Sequence, residues 1–133
     1  MHQRPDPDDL LAAVSMYLRE QALPQLPGHA AYLARVAANA LDIVRRQLQL
    51  APVADAGELQ RLRQLLQCDG ALDELNRLLC ERIAAGEIGL HTPGLAEHLW
   101  STTLDKLAVD QPGYDSYRRE IAALAPTPKE TDK

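Results

Sequence analysis

The chain has 133 residues, enough for one domain that buries roughly two-thirds of its unfolded surface around one core. Hydrophobic residues make up 46% of it, yet there is no Phe, one Trp and four Tyr, so Leu and Ala must fill the interior, which favours closely packed helices over sheets. The formal charge of −5 supplies no net basic field to displace phosphate counterions and argues against nucleic acid as a partner.

Met1 to Asp6 contain no apolar run of the kind a secretory signal needs. No stretch approaches the roughly 20 apolar residues of a membrane span, so a soluble, cytoplasmic protein is expected, with no membrane partner. Cys68 and Cys80 form no CxxC and are too few for a disulfide scaffold. Both are expected reduced, serving as small apolar side chains.

Asp6-Pro7-Asp8-Asp9 reads as a helix start, with Asp6 as N-cap and Pro7 at the first helical position. This helix runs to about Leu23 with Leu10, Val14, Tyr17 and Leu18 as its apolar stripe, and Pro24 stops it. A second helix, the longest and placed at the centre, covers about His29 to Leu50, with Leu33, Val36, Ala37, Ala40, Leu41, Val44 and Leu48 on one side, and Pro52 ends it. Leu59, Leu62, Leu65 and Leu66 mark a third. Leu72, Leu75, Leu78, Leu79 and Ile83 carry a fourth, closed by Gly86 as a left-handed C-cap. Thr92-Pro93 repeats the cap signal and opens a fifth, which ends before Gln111-Pro112-Gly113. Tyr117, Ile121 and Leu124 space out a short sixth over 116–124. The expected fold is all-α: an antiparallel helical bundle of five main helices with a short sixth C-terminal helix, one domain over 6–124 and a disordered tail over 125–133.

Polar residues at helical spacing mark the candidate sites. Arg35, Asn39, Asp42 and Arg46 share a stripe of the long helix; the two guanidinium forks with an amide between them suit a phosphate or carboxylate, while Asp42 would neutralise one arginine on a plain solvated face. Lys106 and Asp110 project into the apolar arc formed by Leu95, Leu99, Trp100, Leu104 and Leu107, and Arg82 intrudes likewise on the helix before. Buried charge must be paired, so Arg82, Asp105, Lys106 and Asp110 are expected to form a polar network at one helix interface with at least one close ion pair. That network either lines a cavity or fixes helix register. His98, Ser101 and Asp105 share a face, but Ser101 lies between the other two, so a catalytic triad is rejected in favour of an exposed polar face. HExxH, paired ExxH, cysteine clusters and glycine-rich phosphate loops do not occur, so neither metal nor cofactor is expected.

Leu26-Pro27-Gly28, Arg35-Val36-Ala37-Ala38-Asn39-Ala40-Leu41 and Asp105-Lys106-Leu107-Ala108-Val109-Asp110-Gln111-Pro112, followed by Tyr114, resemble a family of short bacterial all-helical proteins described as a domain of unknown function. The resemblance runs from Arg4-Pro5 to about Tyr117. It implies genes placed beside aminoglycoside-phosphotransferase-like kinases and acyl-CoA dehydrogenases, and hence a role in acyl or hydroxy-acid catabolism. The leading expectation is a non-catalytic accessory or interaction protein serving a phosphotransferase-like or acyl-CoA dehydrogenase-like partner. Second comes a small bundle holding an anionic ligand of phosphate, carboxylate or acyl-CoA type through Arg35, Asn39, Arg46 and Lys106. An enzyme acting by itself ranks third.

Overall fold

The all-α class holds in the computed structural model, which describes residues 4–126 and has no strand among them. α1 spans Pro7–Tyr17 and continues through a π turn (Leu18–Ala22) and a 3-10 turn (Leu23–Gln25); α2 (Gly28–Leu66), α3 (Leu72–Ala84), α4 (Leu95–Asp110) and α5 (Asp115–Leu124) follow. No helix among the described residues is long and apolar enough to cross a membrane. Of the tail expected from residue 125, positions 127–133 lie outside the described residues.

The start of α1 is the one its sequence dictates, with the Asp8 N–H donating to Asp6 Oδ1 at 2.9 Å. Pro52, in contrast, does not stop a helix. The second and third expected helices are one, a 39-residue α2 about 58 Å long at 1.5 Å per residue. Pro52 removes one backbone donor, and because Pro52 and Leu48 are both exposed, water can take the Leu48 carbonyl left without a partner. Packing against α1 before the proline and α3 after it outweighs a local cost of about 3 kcal/mol. At the far end Gln67 adopts the left-handed conformation (φ 53°), and its Nε2 donates to the Gln64 carbonyl at 2.7 Å, satisfying one of the orphan end groups. Gly86 (φ 76°) follows α3 in the same conformation, as its C-cap role requires. Thr92 does not cap the next helix. It accepts the Gly89 N–H at 3.0 Å and closes the preceding loop, and α4 begins three residues on, after Gly94 (φ 91°).

Leu62 and Leu66 of α2 pack with Leu75 and Leu79 of α3, Ile88 of the loop and Leu95 of α4 into one buried cluster. The first half of α2 is built differently. On it and α1, only Ala38 and Ser15 are buried. Ser15 Oγ donates to Asp42 at 2.8 Å, Arg19 donates to Asn39 (2.9 Å) and Asp42 (2.6 Å), and Asp8 accepts from Arg45 (2.9 Å) and Gln49 (3.0 Å). Partner numbers fall as those of α1 rise, so these two helices run in opposite directions. The seam also rotates α1 away from its expected stripe: Leu11 and Leu18 are half-buried beside Ser15, while Leu10, Val14 and Tyr17 are exposed.

Candidate functional site

α4 lays a mixed side on the rest of the fold, with Leu95 and Val109 buried beside His98. His98, Thr102 and Asp105 stand four and three residues apart and so share a face, and that face meets Arg61. Arg61 Nε donates to His98 Nδ1 at 3.3 Å and Nη2 to Thr102 Oγ1 at 3.4 Å, and Nη2 lies 3.9 Å from Asp105 Oδ2. Gly57, one turn earlier on α2, leaves room for the guanidinium: a Cβ there would lie 3.4 Å from Nη1. Arg61 and Asp105 border a cleft of about 480 Å³ between α2 and α4, whose other walls are Gln49, Leu50, Val53, Ala54, Gly57 and Ala108. Asp105 also borders a second hollow of about 280 Å³ with Asp55, Glu58, Lys106 and Asp110.

His98 is buried, which overturns its reading as part of an exposed face. Burial, and then the charge of Arg61, hold its imidazole below the usual histidine range, with the Glu58 carboxylate opposing. Since Nδ1 accepts from Arg61, the neutral ring carries its proton on Nε2. The cluster therefore works as a polar clamp between two helices. Every buried side-chain nitrogen and oxygen among the described residues has a hydrogen-bond partner.

The residues singled out from sequence are distributed otherwise. Asn39 is bonded to Arg19 of α1, Arg46 Nε donates to the Val109 carbonyl at 2.7 Å, and Arg35 is exposed. That stripe of α2 holds α1 and the end of α4 rather than converging with Lys106. Arg82 Nη1 donates to the Leu66 carbonyl at 3.1 Å, away from the charges of α4. Lys106 and Asp110 share the second hollow with Asp105 and are both exposed, so the expected buried network of the four is not assembled. The physical reason is that only Leu95, at one edge of that arc, enters the core, while the part that contains Lys106 and Asp110 faces outward. Leu99 and Trp100 are exposed, and Trp100, Leu104 and Leu107 with Tyr114 and Tyr117 line an apolar hollow of about 260 Å³. Cys68 packs against the leucine core and Cys80 is exposed, both as free thiols.

Residues 24–114 match the family described as Domain of unknown function (DUF6285). The chain belongs to that family. The DUF6285 match contains Arg61, His98, Thr102 and Asp105 and all of α2, α3 and α4, and leaves α1 and α5 outside. No curated protein and no solved structure matches the chain.

Proposed function

We propose that this chain is a non-catalytic accessory protein that docks on a larger enzyme, of the phosphotransferase-like or acyl-CoA dehydrogenase-like kind implied by the family resemblance, in a bacterial cytoplasm. The observation supporting this reading is an apolar stripe of α4 left in water: Leu95 and Val109 are buried beside His98, but Leu99 is 45% and Trp100 53% exposed. Three aromatic rings, Trp100, Tyr114 and Tyr117, surround an apolar hollow of about 260 Å³, and Trp and Tyr are the side chains that most often anchor protein interfaces. Two polar side chains of α4, His98 and Thr102, are engaged within the chain, where they hold Arg61.

The test is made in the native cell. Deleting the gene is expected to lower the activity or abundance of one enzyme of those two classes; wild type restores it and Trp100→Ala does not. The reading is overturned if the purified chain turns over an acyl-CoA, phosphate-ester or hydroxy-acid substrate and His98→Ala or Asp105→Ala abolishes that turnover.

A further inference from the structure

We infer that the apolar face of α2 that points away from α1 receives a second copy of this chain, in a two-fold symmetric dimer whose two α2 helices pack against each other. The inference does not rest on the enzyme partner proposed above. It starts from the helical wheel. At 100° per residue, an arc of about 160° around Ala40, followed from Gly28 to Ala51, contains no Asp, Glu, Lys or Arg. Leu33, Val36 and Val44 on that arc are each between 45% and 52% exposed. Ala38, Asp42 and Arg45 lie on the opposite side of α2, where α1 packs, so α1 leaves this apolar side uncovered.

Area supports an occupant as large as another chain. The molecule exposes 10267 Å², against roughly 6,900 Å² for a compact monomer of 14.7 kDa. Setting aside about 1,600 Å² for the ten residues outside 4–126 leaves an excess of roughly 1,800 Å² over the whole molecule. A stable homodimer needs about 1,000 Å² or more from each partner.

Charge then selects which chain. Two copies with a net charge of −5 repel one another in most orientations. Across this face no like charges of α2 meet, because Asp42 and Arg45 turn to the seam, pairing with Arg19 at 2.6 Å and Asp8 at 2.9 Å, and Arg35 and Arg46 lie outside the arc. A strongly charged partner finds no counter-charge there, whereas a two-fold contact matches the uncharged patch with itself. Ala40 at the centre of the arc, with Ala37 toward its edge, lets α2 approach its own copy to about 8 Å, the close end of helix packing.

Sedimentation or light scattering tests the dimer over a roughly hundredfold dilution series, with thermal unfolding followed alongside because a dimer's Tm rises with concentration by mass action. Wild type is expected at twice the mass of one chain, with a concentration-dependent Tm. Val36→Glu and Val44→Glu each place a charge on the face in both copies and are expected to give monomers of unchanged helix content. Leu90→Glu, at a loop position 83% exposed and off the face, is expected to leave the dimer intact. Should the glutamate variants fail to fold, the isosteric pair Val36→Thr with Val44→Thr is expected to weaken self-association at least tenfold. A wild type that is monomeric with a concentration-independent Tm overturns the inference. So does a dimer that survives the substitutions on the face.

Discussion

Around Leu62 and Leu66 the long helix is gripped by leucines of α3, by Ile88 and by Leu95, all removed from water. Around Ala38 and Asp42 the same helix is held to α1 by a serine hydroxyl, an amide and two arginine–carboxylate pairs, with Ala38 buried and Leu11 and Leu18 only half-buried. A buried leucine contributes about 1.5–3 kcal/mol, whereas a part-exposed ion pair contributes about 1 kcal/mol or less. One helix thus joins a self-sufficient core to a hairpin whose apolar side still faces water. The hairpin is the end expected to open first, and the one whose stability depends on what covers it.

The largest expected effect separates the two regions directly. Leu62→Ala empties a fully buried site and is expected to cost about 2–5 kcal/mol, read as a lower urea midpoint. Ser15→Ala, at the centre of the seam, removes one hydroxyl from Asp42 and leaves Arg19 bonded to it; about 1 kcal/mol is expected. Equal losses would erase the distinction.

Pro52 stands where the regions meet, and Pro52→Ala is the next test. Alanine restores the donor to the Leu48 carbonyl and removes the clash of the ring, so the variant is expected to be more stable by up to about 3 kcal/mol. Amide exchange should also slow in the hairpin, because its opening becomes coupled more tightly to the core. A destabilised variant would mean that a bend at the proline is what lets α1 and α4 both pack on α2.

Some of this was legible in the sequence because its causes are local. The Asp6 cap, the Gly86 C-cap and the leucine periods of α2 and α3 are set within a turn or two of chain. What the sequence left open was the direction in which each amphipathic helix turns. A binary pattern sends apolar residues inward, and here Leu10, Val14, Leu33, Val36 and Trp100 face out. The partners proposed above would cover Leu33, Val36 and Trp100 among those side chains, and one sequence does not display a partner. Lys106 and Asp110 were misplaced by the same inference, since they follow the arc of Trp100 and Leu107. Arg61 was missed because its partners lie 37 and 41 residues further on. The only trace of the clamp in the sequence is the polar stripe His98, Thr102 and Asp105, which does not reveal which side of α4 it occupies. Pro52 misled because tertiary packing on both sides outweighs a strong local signal.

The smallest effect resolves the two regions by pH. In the core half, burial and then the Arg61 charge depress the pKa of His98 below its unfolded value of 6.5. Between those two values the unfolded chain binds more protons than the folded one, so the contribution of the neutral ring is complete above pH 6.5 and declines as pH falls through the folded pKa. In the hairpin, burial works to raise the pKa of Asp42, but hydrogen bonds from Arg19 and Ser15 outweigh it and hold the carboxyl below its usual 3.8. The hydrogen bond from Arg45, then that from Gln49, depress Asp8 in the same way. Stability from these carboxylates is complete above about 3.8 and is lost only as pH falls through their lowered values. Acidification should therefore weaken the core half first and the seam second. Thermal melts across this range are expected to show two declines in Tm. His98→Gln, which can still accept from Arg61, should remove the first, and Asp42→Asn should blunt the second. A single decline below 3.8, unchanged by His98→Gln, would mean that the imidazole takes up its proton in the folded clamp as readily as in the unfolded chain.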